Sequence, residues 1–427
     1  MVRDDQGVLC RCIHPFFCFL MKKTTILYLL LSAVVFGMVA CEALLPAAPA
    51  DDALLDGPIA DLTPEQNALF LAGDVAFNNE VFTPSTGLGP TFVASSCGSC
   101  HAGDGKGTPF TTLTRFGQHD ETGNRFMEQG GPQLQNRAIP GHIAELLPAG
   151  AIFSKFTPPA NTGLGLLAAL SDEQILANAD PADRDGDGIS GVPNWLDAPD
   201  YFKPQWFHKP QNGRYVGRFG KKAAAIDLLH QTVNAYKQDM GITSEFDPED
   251  PINYAVSAQA GDAVDDPEVS TAKVNAVVFY LRTLKTPVQR TPTDPMVVAG
   301  KQLFISLDCG KCHTPDWKTG PSDVAALANR AFSPYTDLLL HDMGKGLDDG
   351  YTEGMAKTAE WKTPALWGLG LSQNSQGGRV FLLHDGRAHS VDEAIRLHGG
   401  EASRSVEKYT KLAEAERSKL LRFLNSL

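Results

Sequence analysis

Apolar side chains recur at helical spacing in several segments, and stretches dense in Gly, Pro and Asn separate these segments. Thr63 followed by Pro64 marks the start of the first predicted helix, because Thr caps a helix and Pro is favoured at its first position. The stretch 102–225 predicts long loops with short helices and a small hairpin. The pattern therefore predicts a mainly α fold with little β structure, and its helices cover about 63–77, 223–240, 268–284, 297–307 and 406–427.

Three prolines, Pro287, Pro292 and Pro295, interrupt the helical pattern and predict a linker. Beyond it the order of helix and Cys-containing motif starts again, which indicates a divergent duplication of one structural unit. The predicted organisation is a signal region at 1–40, a flexible tether at 41–62, an N-terminal domain at 63–290 and a C-terminal domain at 291–427.

Each predicted domain contains one Cys-x-x-Cys-His motif, at 97–101 and at 309–313. Two intervening residues bring both thiols to the same side of a helical turn, where they reach the two vinyl groups of one porphyrin edge, and the adjacent His faces the iron. A zinc site or a thiol redox pair is the alternative, but the motifs are far apart and no thioredoxin-like pattern follows them. The sequence predicts two covalently bound haem c groups, held by Cys97, Cys100, Cys309 and Cys312, with His101 and His313 as iron ligands. A helix just before the motif and a helix at the C-terminus resemble the crossing helix pair of class I cytochrome c domains, which implies two cytochrome c-like haem domains.

The N-terminus is predicted to be a targeting segment rather than part of the fold. The apolar run 26–40 ends in small residues before Cys41, a pattern that resembles the bacterial lipoprotein cleavage site. Cys41 is therefore the predicted lipidated first residue, with an ordinary secretory signal or a retained single helix as alternatives. Met21 is the predicted true start, which leaves the three cysteines before it without a function.

Cysteine use and net charge fit an exported redox protein. Beyond Cys41, every cysteine lies in a haem motif, and haem c is attached outside the cytoplasm. The formal net charge of -13 argues against nucleic acid as a partner and favours a basic one, such as a small electron-donor protein of the cytochrome c or cupredoxin type. We expect the protein on the periplasmic side of a bacterial cell envelope, with a lipid anchor in the membrane.

The segment 381–398 contains His384-Asp385-Gly386 followed by a predicted helix that ends near His398. It resembles the C-terminal signature of bacterial di-haem cytochrome c peroxidases, in which a Met near the end of that helix binds the C-terminal haem. The resemblance implies that His313 and His398 bind the second iron together, and a His ligand lowers the haem potential relative to Met. A surface or core role is the alternative for His398, and the other candidate ligands are His341, Met343, Met355, His384 and His389.

Further stretches resemble the di-haem oxidoreductase family, whose members are named as peroxidases or thiol oxidoreductases. The resemblance covers about 63–427. The label "thiol" finds no support, because the thiols beyond Cys41 are committed to haem. The stretches that carry the resemblance lie at 87–90, 130–141, 337–344, 362–370 and 398–402.

The sixth ligand of the first haem stays open. The first possibility is an open or water-bound iron. The resemblance to the peroxidases, in which a distal His follows the first motif and leaves to admit peroxide, makes His119 a candidate distal ligand. The stretch 217–240 loosely resembles the peroxidase region with a pocket Gln and Glu, which implies Gln231 as a positioning amide and Asp239 as a base. Both could instead lie on an exposed helix face. Other candidate ligands of this iron are His142, His208 and His230.

The segment 183–194 has the first half of an EF-hand-type loop, with carboxylates at its first, third and fifth positions and Gly at the sixth. It predicts a structural calcium ion that braces the loop near the first haem, and a solvated turn is the alternative. The predicted ligands are Asp183, Asp185, Asp187, the carbonyl of Ile189 and Asn194, which stands where a Glu is usual.

These features predict a peroxidase that reduces hydrogen peroxide at the first haem with electrons relayed through the second. A Trp bridges the haems in the peroxidases, and Trp195 or Trp206 could do so here, while Trp317, Trp361 and Trp367 could pack against porphyrin. The alternatives are a pure electron-transfer lipoprotein and an oxidase of a protein or metal substrate. Whether the chain forms a homodimer, as the peroxidases do, stays open.

Overall fold

Helices carry most of the regular structure in the computed structural model, which describes residues 55–117, 125–256 and 261–427. The predicted signal region, the lipidation site Cys41 and the candidate ligand His119 lie outside these ranges. The helices are α1 (Pro64–Asp74), α2 (Leu164–Ala168), α3 (Asp172–Leu176), α4 (Leu228–Ala235), α5 (Thr271–Thr283), α6 (Pro295–Ser306), α7 (Ser372–Ser375), α8 (Val391–Arg396), α9 (Ser403–Thr410) and α10 (Glu414–Ser426).

The start of α1 agrees with its sequence signal. The Thr63 hydroxyl accepts a hydrogen bond from the Gln66 backbone N–H, and the Gln66 side chain accepts one from the Thr63 N–H. This reciprocal pair satisfies two N–H groups that a helix start leaves without partners. After α1 the chain continues in a π-helical turn, Val75–Asn79.

Two predicted helices differ from the structure. The helix expected at 223–240 begins only at Leu228, because Ala223 has a positive φ of 53° and Asp227 caps the helix through its side chain. It ends in a π-helical turn, Tyr236–Met240. The helix expected at 406–427 is two helices, α9 and α10, because Ala413 between them is extended.

The helix before each Cys-x-x-Cys-His motif crosses a later helix at a glycine. A Cβ on Gly73 of α1 would lie 2.1 Å from the Ala276 carbonyl oxygen of α5, and one on Gly300 of α6 would lie 2.1 Å from the Lys419 carbonyl oxygen of α10. Only glycine permits helices to approach this closely. The crossing of α6 with α10 is the pair expected from the resemblance to class I cytochromes, and α1 crosses α5 in the same way.

Short antiparallel strand pairs hold the loops between the helices. The pairing joins β1 (Thr91–Phe92) to β3 (Arg137–Ala138), β2 (Leu113–Phe116) to β4 (Phe153–Phe156), β5 (Trp195–Leu196) to β6 (Tyr215–Val216), β7 (Trp317–Lys318) to β8 (Ala331–Phe332), and β9 (Leu340–Asp342) to β10 (Glu360–Lys362). The fold is therefore mainly α with small sheets, as the sequence predicts.

The described residues all belong to one compact unit. The end of the predicted tether is part of it, since the Ile59 N–H donates to the Thr283 carbonyl at 2.7 Å. None of the helices within the described ranges combines the length and hydropathy that crossing a membrane requires.

Candidate functional site

Both Cys-x-x-Cys-His motifs open onto one cavity of about 830 Å³. This volume lies at the upper end of the range for ligand pockets, and the wall is mostly apolar. The two cysteines and the histidine of each motif line it, as does His398. The fold therefore brings two motifs that are far apart in the sequence to a shared space.

Local hydrogen bonds shape the first motif into a tight turn. The Ser96 hydroxyl accepts from the Ser99 N–H at 3.2 Å, and the Cys97 carbonyl accepts from the N–H groups of Cys100 and His101 at 3.1 and 3.0 Å. The π-helical turn before the motif contributes Phe77, whose ring centroid lies 5.9 Å from that of His101. The turn thus presents two thiols and one imidazole to the cavity together.

The second motif repeats this arrangement. The His313 N–H donates to the Cys309 carbonyl at 3.0 Å, and Phe304 of α6 lies against the imidazole with 6.4 Å between ring centroids. Each proximal histidine is therefore backed by an aromatic ring from the helical segment that precedes its motif.

Burial raises the pKa of every motif thiol, to about 12 for Cys97, about 11 for Cys100 and about 12 for Cys309. For Cys312 burial is likewise the largest cause of a raised pKa. A thiol redox pair depends on a readily formed thiolate, so these environments oppose that alternative. Among the described residues no motif cysteine joins a cluster of His, Cys, Asp and Glu side chains with metal-binding spacing.

The imidazoles of His313 and His398 are held in the tautomer that binds iron. His313 Nδ1 lies 3.0 Å from the Tyr335 carbonyl, and His398 Nδ1 lies 2.6 Å from the Ala394 carbonyl. A carbonyl can only accept, so each Nδ1 carries the proton and each Nε2 keeps its lone pair for a metal. Burial lowers the pKa of His313 to about 4 and also lowers that of His398, so both rings are neutral at physiological pH.

The other candidate ligands of the second iron, apart from Met343, are either hydrogen-bonded to carboxylates or exposed. His341 contacts Glu401 through Nδ1 at 2.7 Å and Asp337 through Nε2 at 2.8 Å, so neither ring nitrogen is free. His384 Nε2 contacts Asp349 at 2.7 Å. Met355 and His389 are exposed, whereas Met343 lines the cavity.

The cavity and its donor set fit two haem c groups. Each motif supplies two uncharged thiols for thioether bonds and one neutral imidazole, since burial also lowers the pKa of His101 to about 4. The Pro159 carbonyl opposes that shift. His101 and His313 would bind the irons, and His398 would be a second protein ligand of the iron at the second motif.

Two candidate ligands of the first iron, His230 and His208, have the other tautomer. His230 lines the cavity, but its Nδ1 accepts from the Ile226 N–H at 3.3 Å, so the proton sits on Nε2. His208 Nδ1 accepts from the Gln205 N–H at 2.8 Å in the same way. Neither ring offers Nε2 to a metal as it stands. The thioethers of Met127 and Met240 also reach the cavity wall.

Asp239, from the π-helical turn after α4, is a buried acid in the cavity wall. Its backbone carbonyl accepts from the Val93 and Ala94 N–H groups just before the first motif, at 2.7 and 2.9 Å. Its carboxylate accepts from Gln133 Nε2 at 2.6 Å. Burial raises the pKa of Asp239 to about 6, while the Gln133 hydrogen bond and the Arg115 charge oppose the rise. An acid near neutral pKa therefore lies beside the first motif.

Arg115, Gln133 and Glu353 extend this site, and sequence reasoning missed all three. Arg115 Nη1 donates to Gln133 Oε1 at 3.1 Å, and Arg115 forms an ion pair with Glu353. Gln133 lies in the stretch 130–141, which already carried the family resemblance and was the available signal. Gln231 lines the cavity, but the amide that holds Asp239 is that of Gln133.

A family model described as "Di-haem oxidoreductase, putative peroxidase" matches residues 155–427. The chain belongs to the di-haem oxidoreductase family. The match includes the second motif and begins after the first. Among solved structures, a chain of hydrazine synthase from Kuenenia stuttgartiensis, pressurised with xenon, aligns at a TM-score of 0.39 and 15% identity, covering 90% of this chain and 98% of that chain. No curated protein matches the sequence.

In this di-haem oxidoreductase the acidic loop lies beside the second motif, not the first as predicted. The carboxylates of Asp183, Asp185 and Asp187 come together, and Lys311 of the second motif forms an ion pair with Asp187. The predicted ligand Asn194 is not part of the group. It is buried, and its side chain bonds the backbone of Lys222, Glu353 and Met355.

The tryptophans of this di-haem oxidoreductase differ in whether they line the cavity. Trp206 is 62% exposed, which removes it as a bridge between haems. Trp361 and Trp367 are buried and line the cavity. The Trp361 ring stacks on His384 at 3.7 Å between centroids. Trp361 and Trp367 are thus the tryptophans placed to contact porphyrin.

Proposed function

We propose that the chain is an exported di-haem c-type peroxidase, which reduces hydrogen peroxide beside the first motif and takes electrons through the second. Family membership supports a di-haem redox enzyme. When bound, the haems supply the two electrons and an iron that binds peroxide. The reaction then consumes one peroxide, two electrons and two protons, and it releases two waters.

The proposal of peroxide as the substrate rests on one observation: a buried acid-base group adjoins the first motif. Asp239 can take the proton from the inner peroxide oxygen and return it to the outer one, which must leave as water. Its raised pKa, about 6, suits transfer in both directions near neutral pH. Gln133 fixes the carboxylate through its 2.6 Å hydrogen bond.

Arg115 supplies a positive charge close to Asp239. Its guanidinium is held by Gln133, by Gln238 Oε1 at 2.7 Å and by the Glu353 carboxylate. A fixed cation beside the bond that breaks stabilises the negative charge that develops on the leaving oxygen. Arg115 and Asp239 thus divide charge stabilisation and proton transfer between them.

The second motif supports an electron relay. His313 and His398 both present Nε2 to the cavity, so two protein ligands would close the iron to small molecules. The acidic chain favours a small basic electron donor, such as a cytochrome c or a cupredoxin.

The decisive experiment is a peroxide titration of the holoprotein, fully oxidised and half reduced, followed by optical and electron paramagnetic resonance spectra. We expect one high-spin haem that reacts rapidly with peroxide and one low-spin haem that does not. Two low-spin haems that ignore peroxide would contradict the proposal and leave electron transfer as the function.

Two further parts of the proposal concern location and calcium. Export with a lipid anchor at Cys41 predicts that labelled palmitate is incorporated into the wild-type protein but not into Cys41→Ser.

The clustered carboxylates of Asp183, Asp185 and Asp187 support a calcium site beside the second motif. Calorimetric titration should show calcium binding that Asp185→Asn weakens, and equal heats for both proteins would remove the site.

A further inference from the structure

Three lysine side chains, from separate parts of the chain, line the cavity that both motifs share. They are Lys106, which follows the first motif, Lys221, which precedes α4, and Lys362, which ends β10. The Lys362 N–H donates to the Lys221 carbonyl at 3.0 Å. The Lys106 ammonium donates to the Ser372 hydroxyl of α7 at 3.3 Å. The fold thus concentrates positive charge in a mostly apolar cavity.

Among the residues that the structure describes, no carboxylate is paired with this charge. Within the described ranges none of the three lysines forms an ion pair. Asp385 and Asp337 act on Lys221 and Lys362 from a distance, but these carboxylates are paired with other side chains. Burial lowers the pKa of Lys106 to about 8, of Lys221 to about 7 and of Lys362 to about 8, and the other two lysines contribute at Lys221.

The neighbouring Lys222 shows what a lysine with a structural role looks like here. Its ammonium donates to the backbone carbonyls of Lys357 and Glu360 at 2.8 and 2.7 Å, and it lies over the Trp361 ring. Lys222 is therefore satisfied by the fold itself, whereas Lys221, the preceding residue, faces the cavity. Burying a cation is unfavourable unless hydrogen-bond acceptors, as at Lys222, or an anion compensate its charge. The cluster therefore calls for an anionic ligand inside the cavity.

We propose that Lys106, Lys221 and Lys362 bind the propionate carboxylates of the two haem groups and gather them at one place in the cavity. Thioether attachment leaves both propionates of a haem free, and ammonium–carboxylate hydrogen bonds are among the stronger ones. The inference rests on haem attachment at both motifs and is independent of the peroxide reaction. A small external anion would offer the same chemistry, so the test separates the two sources.

Charge neutralisation tests the assignment in the full-length holoprotein. The variants are Lys221→Gln, Lys362→Gln and Lys106→Gln, with Lys221→Arg as the charge-preserving exchange and Lys357→Gln, whose side chain is 82% exposed, as the matched control. Haem potentials come from an optical redox titration, and the propionate-bending bands come from resonance Raman spectra.

We expect each cavity Gln variant to shift the propionate-bending bands and to lower at least one haem potential, because the lost cation favoured the reduced haem. Lys221→Arg and Lys357→Gln should resemble the wild type. Unchanged bands, with or without a change in potential, would overturn the assignment. If Lys221→Gln fails to incorporate haem, the other two Gln variants decide by the same criterion.

A titration of the wild type with acetate tests the external source. Propionates that already occupy the lysines predict potentials and Raman bands that do not respond to acetate. A saturable response in the wild type that is lost in Lys221→Gln would assign the cluster to an external anion and overturn the proposal.

Discussion

The two Cys-x-x-Cys-His motifs share their local build but differ in what surrounds them. At the second motif, His313 and His398 both have Nδ1 bound to a carbonyl and Nε2 left for iron. At the first, the cavity-lining His230 has the opposite tautomer, and an Asp–Gln–Arg group adjoins the motif instead. In the proposed function the same motif serves two chemistries, and the difference lies in hydrogen bonds made by residues far from the motif in sequence.

The largest test of this contrast is Asp239→Asn. Removing the base beside the first motif should lower kcat/KM for hydrogen peroxide by about 10²- to 10⁴-fold, the usual contribution of general acid-base catalysis. Stopped-flow kinetics would measure it, with haem content confirmed from the absorption spectrum. Asp323→Asn is the matched control, because its carboxylate is 71% exposed and paired with Arg282. A variant that keeps the wild-type rate would remove Asp239 from the chemistry.

His398→Met tests the other half of the comparison. A thioether in place of an imidazole should raise the potential of one haem and leave the other unchanged, because Met stabilises the reduced iron. Optical redox titration separates the two haems, and near-infrared magnetic circular dichroism identifies the ligand pair. Equal potentials in variant and wild type would show that His398 is not a ligand.

The pH dependence of kcat/KM reports Asp239 directly. Burial raises its pKa to about 6, and the proposed base must be ionised to accept a proton. The rate should therefore be constant above that value and fall about tenfold for each pH unit below it. The residual activity of Asp239→Asn should lack this acidic limb of the pH profile, the part in which the rate falls. If the limb persists in that variant, it belongs to another group.

The sequence predicted best those features that depend on neighbouring residues alone. The spacing of Cys97, Cys100 and His101 is enough to predict haem attachment, because neighbouring residues alone create that geometry. His398 followed from family resemblance rather than from spacing. The break at Ala413 was missed because apolar positions keep helical spacing across it, and only the extended backbone shows it. Local sequence patterns predict the type of a secondary-structure element better than the residues at which it begins and ends.

Gln133 lay beyond sequence reasoning for a physical reason. It is separated from Asp239 by 106 positions, and tertiary packing of the loop against the π-helical turn brings the two together. Gln231, the fourth residue of α4, was predicted instead because the stretch 217–240 loosely resembles the peroxidase pocket region. Such a resemblance is a weak guide where a distant loop supplies the partner.

Replacing each of the two glutamines by Ala gives the smallest expected effect on the rate. It also compares the two candidate positioning amides directly. Gln133→Ala should lower kcat/KM about tenfold, since a hydrogen bond to a charged group contributes about 1.5–3 kcal/mol and part of it is retained through solvent. Because the Gln133 hydrogen bond lowers the pKa of Asp239, its loss should also move the pH limb to higher pH. Gln231→Ala should change neither the rate nor the limb. The reverse pattern, with Gln231 the sensitive position, would return the positioning role to α4 and leave Gln133 as a purely structural clamp on the turn that carries Asp239.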